Sequence, residues 1–256
     1  MGYSAEELCS LGIKLVQEAE KRKSKLRLLG GIAVFQSSHG AVDKPSLRRE
    51  YKDLDFAVNR KGVRPLGEVF SSQEWEEDRR FNALHGQDRL LFYYQEELQA
   101  DIFISRFEQC HVLNLENRLE LNSPTLPLAD LLLTKLQIHQ LNSKDVMDIY
   151  TLLLDHDVED HKTGDGRESQ EIDLAYIGQL TGADWGWYTT VHDNLAILLE
   201  DLLPKHLDGE DLLLVRMRLE KLRGAIESQP KTFRWQARSL IGRRLPWYNE
   251  PEEVNR

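Results

Sequence analysis

Hydrophobic and polar positions along the chain change period near residue 124. Ser4 and Glu7 form a capping-box signature ahead of Leu8, Leu11, Leu15 and Ala19, which recur at helical spacing. This predicts a first helix ending in the charged run Lys21–Lys25. Leu26-Arg27-Leu28-Leu29, then Gly30-Gly31, then Ile32-Ala33-Val34-Phe35 read as a short strand, a tight glycine turn and a new helix. A polar stretch from Gln36 to Arg49 reads as a loop. Asp53 to Val58 alternates as a strand does, and a helix-and-loop region covers Pro65 to Arg79. Further strands are expected at Arg89–Tyr94 and Gln99–Ser105, joined by a short turn at Glu96-Glu97. Asn122-Ser123-Pro124 reads as a break, which sets two domains, 1–124 and 125–256. Beyond it the period is helical: Leu128–Leu141, Ser143–Leu154 with Ser143 as N-cap, a polar loop from Asp160 to Gln170 containing Gly164 and Gly166, and about four more helices. The pattern predicts an α+β chain, a mixed sheet with flanking helices followed by an α-helical C-terminal domain.

Composition narrows the class. With 256 residues and 41% hydrophobic content the chain can bury a substantial core. Cys9 and Cys110, the two cysteines, suggest neither a disulfide framework nor a zinc knuckle and fit a reducing compartment. The N-terminus lacks the layout of a signal peptide, and no apolar stretch is long enough to cross a bilayer. A cytoplasmic protein without membrane partners is expected. The net charge of −10 argues against general nucleic-acid binding, which needs clustered cations. Charge is unevenly spread: 212–244 carries nine Lys and Arg against Glu220 and Glu227, after a strongly acidic 145–211. With Phe233, Trp235 and Trp247 nearby, the basic run could contact RNA by charge and stacking. The plainer reading, a basic helical face that neutralises the acidic segment before it, is preferred.

The sharpest local chemistry is Asp53-Leu54-Asp55. Residues two apart on a strand project to one side, so both carboxylates share a face while Leu54, Phe56 and Val58 turn to the other. Paired carboxylates repel unless a cation lies between them, and magnesium suits oxygen ligands while keeping sites for phosphate and water. On the later strand Ala100, Ile102 and Ile104 share one face and leave Asp101 on the other. Adjacent strands would bring all three acids together as a two-metal clamp for in-line phosphoryl transfer. An isolated D-x-D, or Asp101 alone, is more often a solvated acid; the glycine turn, paired acids and later acid in that order carry the weight.

Leu28-Leu29-Gly30-Gly31-Ile32-Ala33, Lys52-Asp53-Leu54-Asp55-Phe56 and Ala100-Asp101-Ile102 together resemble the signature of the DNA polymerase β nucleotidyltransferase superfamily. The double glycine, with Asp130–Leu136 and Ser143–Ile149, resembles the AbiEii-like toxin group within it. The resemblance spans roughly Leu26 to Asp155. It implies a polymerase β-type core in which the backbone at Gly30 and Gly31 holds a nucleoside triphosphate. Asp53, Asp55 and Asp101 would bind two Mg2+ ions, and Lys135 and Asp145, with Asp148, would complete the active site. It implies a metal-dependent nucleotidyltransferase that moves a nucleoside monophosphate from an NTP to an acceptor hydroxyl. The acceptor could be tRNA in a toxin–antitoxin context with an antitoxin partner, or a small molecule of aminoglycoside type. Where the group has Arg-x-Ser/Thr-x-Asp-x-Asp, this chain reads Arg48-Arg49-Glu50-Tyr51-Lys52 before Asp53. Of Arg48, Arg49 and Lys52, one could contact the triphosphate.

Blander readings stand beside these roles. Lys135 sits among leucines and could be a snorkelling lysine at a core edge, and Lys144-Asp145 could be ordinary first-turn charges. His156 and His161 fall in polar sequence and read as solvent-exposed. A non-catalytic nucleotide-binding or partner-binding module on the same fold is the alternative of a different class.

Overall fold

The computed structural model describes residues 2–160 and 170–250. Gly164, Gly166 and His161, all assigned to a loop above, lie outside the described residues. The chain divides into two compact units, one of residues 1–37, 49–107 and 113–127, the other of 38–48, 108–112 and 128–256.

The first unit opens with α1 (Ala5–Lys21). Its predicted capping box is present: Ser4 Oγ accepts from Glu7 N–H at 3.2 Å, and Glu7 Oε2 accepts from Ser4 N–H at 2.7 Å. β1 (Leu26–Leu29) runs directly into α2 (Gly30–Ser37), as the glycine turn predicts. There follow β2 (Asp53–Val58), α3 (Leu66–Ser71), β3 (Trp75–Glu77), α4 (Arg79–His85), β4 (Arg89–Tyr94) and β5 (Leu98–Ile104). The five strands form one mixed sheet in the order β1-β2-β5-β4-β3, with β2 and β5 parallel and the other pairs antiparallel. β3 departs from the helix-and-loop reading of Pro65–Arg79, and α4 fills a stretch that the pattern left unassigned. A three-residue edge strand is too short to show a period, and α4 buries no residue, so it carries no apolar stripe. Asp78 starts α4 by accepting from Phe81 N–H at 2.9 Å.

One face of the sheet is the core of this unit. Leu28, Phe56 and Ile102 lie in cross-strand register, as do Leu26, Val58 and Ile104, and all six are essentially without solvent contact. α1 covers this face closely enough that a Cβ at Gly12 would meet Leu28 Cδ2 at 2.8 Å, tighter than packed carbon allows. From α3, Phe70 stacks on Phe92 with ring centroids 4.2 Å apart and meets Phe56 and Trp75 edge-on.

The second unit is mainly helical: α5 (Leu128–Leu136), α6 (Ser143–Asp155), α7 (Leu174–Ala183), α8 (Trp185–Ile197), α9 (Leu203–His206), α10 (Gly209–Ser228) and α11 (Phe233–Ile241), with a π turn at Leu198–Leu202. Two-residue strands at Val158–Glu159 and Ile172–Asp173 pair in parallel. Some of its helix ends are closed by side chains distant in sequence, which answers orphaned carbonyls at those termini. Asn194 Nδ2 donates to the carbonyls of Leu136 and Ile138 at 2.8 Å, so α5 stops at Leu136 and not at the predicted Leu141. Asn142, not Ser143, caps α6, because its amide oxygen accepts from Lys144 N–H and Asp145 N–H. Buried Arg218 of α10 donates to the carbonyls of Leu153 and Leu154 at the end of α6 and pairs with Asp157. Asp155 accepts from the N–H groups of Gly40 and Ala41, and Lys44 pairs with Asp211. Those bonds tie 38–48 to the helical unit, while the N–H of His111 donating to Gln137 Oε1 at 3.0 Å ties in 108–112. A contiguous split at 124 could not anticipate either segment.

Three of the nine cations of the basic run pair with acids of the segment before it: Arg218 with Asp157, Lys221 with Glu159 and Arg243 with Asp193. These three pairs agree with the charge-neutralising arrangement preferred from the sequence, for part of the run. Among the described residues no helix is long and apolar enough to cross a membrane.

His111 gives the helical unit a pH dependence. Its ring is buried, with Nε2 2.8 Å from Thr190 Oγ1 and the ring 5.0 Å from that of Trp187. Burial pushes its pKa down to about 4, with the charge of Asp184 opposing and His139 adding to the depression. The unfolded chain therefore binds this proton more readily than the folded one. The stability from neutral His111 is fully present above about pH 6.5 and is lost as pH falls toward 4. Urea-unfolding midpoints should drop across that window, and His111→Gln should flatten this part of the profile.

Candidate functional site

The second face of the sheet carries the chemistry. Leu29, Asp55, Asp101 and Leu91 form one cross-strand row. Asp53 lies two residues from Asp55 on the same face, paired in register with Gln99. Arg27, Ala57, Phe103 and Arg89 form the row on the other side. Because β2 and β5 are neighbours, Asp55 and Asp101 sit one strand spacing apart, about 4.8 Å between backbones. The three aspartates share a face, with Asp53 exposed, Asp55 half-buried and Asp101 buried.

Their carboxylates are not drawn together into one cluster in this geometry. Among the described residues no group of three or more His, Cys, Asp or Glu is gathered closely enough to hold a metal ion. Asp101 is held instead by Arg89: Nε donates to Oδ1 at 2.6 Å and the terminal nitrogen donates to Oδ2, a two-pronged pairing. The guanidinium carbon lies 4.9 Å from the ring centre of Phe103 and 6.0 Å from that of Phe81 on α4. Burial pushes the Asp101 carboxyl above the usual carboxylate range; the Arg89 bond pulls it back and the charge of Asp53 pushes it further up. Arg89 had no sequence signal as a site residue, since an arginine opening an alternating strand reads as a solvated end.

The glycine turn meets this face at Asp55. Gly30 has φ +70°, a left-handed conformation that suits glycine, and a Cβ there would land on Asp55 Oδ2. A Cβ on Gly31 would land on a guanidinium nitrogen of Arg49. Arg49 also lies over the Tyr51 ring at 4.2 Å, and Tyr51 meets Phe35 of α2 edge-on. Of the three basic residues before Asp53, Arg49 is thus the one at the turn. Gly30, Gly31, Asp55 and Arg49 together frame the first turn of α2, where backbone N–H groups and the helix dipole favour an anion.

In the helical unit, Lys135, Asp145 and Asp148 come together. Lys135 Nζ lies 3.2 Å from Asp145 Oδ1 and 2.8 Å from Asp148 Oδ2, and all three side chains are largely buried. Lys135 is therefore not a snorkelling lysine reaching water. His156 Nδ1 lies 3.0 Å from the carbonyl of Gln170.

The donor set fits magnesium in part. Asp53 and Asp55 meet the need of an ion that takes one or two carboxylates and fills its shell with phosphate oxygens and water. In this arrangement Arg89 donates one hydrogen bond to each oxygen of Asp101, and each oxygen keeps a further lone pair.

No family model and no curated protein matches the chain. Among solved structures, one from H. pylori described as a "putative nucleotidyltransferase" is similar over 89% of this chain and 97% of that chain, at 14% identity and a TM-score of 0.38. So distant a likeness assigns neither activity nor substrate.

Two expectations follow from this geometry. Gly30→Ala should destabilise the first unit by about 1–2 kcal/mol from its left-handed backbone alone, and Gly31→Ala should cost less in urea unfolding, because its new Cβ meets the far end of Arg49 and one edge of the Tyr51 ring and strains no backbone. Arg89→Met leaves a buried carboxylate without its partner. It should cost about 3 kcal/mol in urea unfolding, and pairing it with Asp101→Asn should recover much of that loss.

Proposed function

We propose that the chain is a nucleotidyltransferase of the polymerase β superfamily, moving a nucleoside monophosphate from an NTP to an acceptor hydroxyl. The observation that carries this reading is the Gly30-Gly31 turn, with Asp55 and Arg49 against it and Asp53 on the same sheet face. The backbone N–H groups opening α2 would take phosphate oxygens of the triphosphate. Arg49 would add a planar cation to the same group. Asp53 and Asp55 would hold magnesium, which when bound neutralises triphosphate charge. The acceptor hydroxyl oxygen attacks the α-phosphorus and gives up its proton to water, a new P–O bond forms, and pyrophosphate leaves with the electrons of the P–O bond that breaks.

Lys135 and Asp145, with Asp148, enter by resemblance to the AbiEii-like group. Their buried ion cluster supports a pre-set lysine that could bind phosphate. That same resemblance supports tRNA as acceptor and an antitoxin as protein partner, with a small aminoglycoside-type hydroxyl as the other acceptor class. A second Mg2+ at Asp101, and a catalytic role for that carboxylate, rest on the superfamily pattern.

The Arg89–Asp101 pair favours one further reading, a nucleotide-binding or partner-binding module that does not turn over. Incubation with radiolabelled NTPs, magnesium and either total tRNA or a set of aminoglycosides separates the two. Transfer of label that falls to background in Asp53→Ala and Asp55→Ala is the expected result. Undiminished transfer in those variants would refute the assigned roles. NTP binding with no transfer to any acceptor would establish the module.

A further inference from the structure

The helical unit leaves two apolar helix faces in water. α11 is held by its inner face: Trp235 meets Tyr188 of α8 edge-on at 5.3 Å, and the Arg238 guanidinium lies 4.6 Å from the centre of the Trp185 ring. On its outer face Phe233, Ala237, Leu240 and Ile241 recur at i, i+4, i+7 and i+8, the spacing of a stripe that packs against a core. Yet Phe233 and Leu240 are 85% and 86% exposed. Arg234 in the first turn and Arg244 just past the end bracket this stripe, and no acid occurs between 228 and 249.

α10 carries the opposite arrangement. Val215, Leu219, Leu222 and Ile226 turn inward. Leu213 and Met217 stand outward, 65% and 55% exposed, with exposed Glu210 before them and exposed Glu220 after. Of the cations near this stripe, Lys221 pairs with Glu159, Arg223 pairs with Glu227, and Arg216 is half-buried. Among the described residues Glu210, Glu220, Arg234 and Arg244 have no ion partner. The bracketing charges stand ten positions apart in both stripes, 210 to 220 and 234 to 244.

We propose that the chain pairs with a second copy of itself, the outer stripe of α11 docking on the outer stripe of the second copy's α10. Exposed apolar stripes of this kind favour burial against a complementary face. Like on like is a poor match: α11 on α11 sets arginines against arginines, and α10 on α10 sets glutamates against glutamates. α11 on α10 lays the two apolar centres together and brings arginines to glutamates, so the charges select the crossed pairing. In a two-fold pair each copy gives one stripe and receives the other, and the contact is made twice.

Sedimentation of the full chain over a concentration series tests this. The mass should rise from the 29.7 kDa of one copy toward twice that value. Arg234→Glu with Arg244→Glu in one chain, and Glu210→Lys with Glu220→Lys in another, should each stay single where wild type is paired. Mixed in equal amounts, the two variants should pair again, because the reversed α11 of one meets the reversed α10 of the other and both native stripes also match. All four positions are exposed, so melting temperatures should stay near wild type. Should a charge-reversed chain melt early, Leu240→Ser and Leu213→Ser ask the same question without new charge, and each should weaken pairing.

A wild-type chain that stays single at every concentration would overturn the proposal. So would variants that pair as wild type does, or a mixture that stays single while wild type pairs. Single-copy wild type that binds phosphatidylserine vesicles, with binding lost in Leu240→Ser, would give the α11 stripe to a lipid surface and overturn the pair.

Discussion

The parallel pairing of β2 with β5 is the constraint on which the chemistry of the first unit depends. It sets Asp55 directly beside Asp101 while Phe56 sits beside Ile102 on the other face. Side chains alternate with a period of two, so a slip of one residue would bury the acids among Leu28, Phe70 and Phe92 and expose the core leucines. Burial of the apolar set thus protects the register that places the acids. The two faces of one strand pair are solved together, and neither can be altered without the other.

That register creates an electrostatic difficulty. Two carboxylates stand one strand apart, one of them buried, and a buried charge without compensation is far more costly than an exposed one. Arg89 is the compensation within the fold, and its aromatic neighbours restrict where it can go. Asp53 is exposed and Asp55 half-buried. The three acids of the face therefore differ in burial although they match in orientation.

The helical unit uses charge for a separate purpose. Arg218 closes the end of α6, Asp155 receives the N–H groups of 40 and 41, and Lys135 is balanced between Asp145 and Asp148. Each satisfies a group that burial would otherwise leave unpaired. Three cations of the basic run are partnered by acids of the segment before it.

Local pattern was enough to read much of this chain. The capping box at Ser4 and Glu7, the strand–glycine–helix passage at Leu26–Phe35, the alternation of Asp53–Val58 and the common face of Asp53 and Asp55 all follow from neighbours a few residues apart, whose geometry the backbone dictates. β3 and α4 were not readable, being too short or too exposed to leave a period. The early end of α5, the attachment of 38–48 to the helices and the capture of Asp101 by Arg89 were decided by tertiary structure alone. Each depends on a side chain meeting a group far along the chain or across a strand pair, and no repeat in the sequence records which strands become neighbours or which buried charge will need a partner.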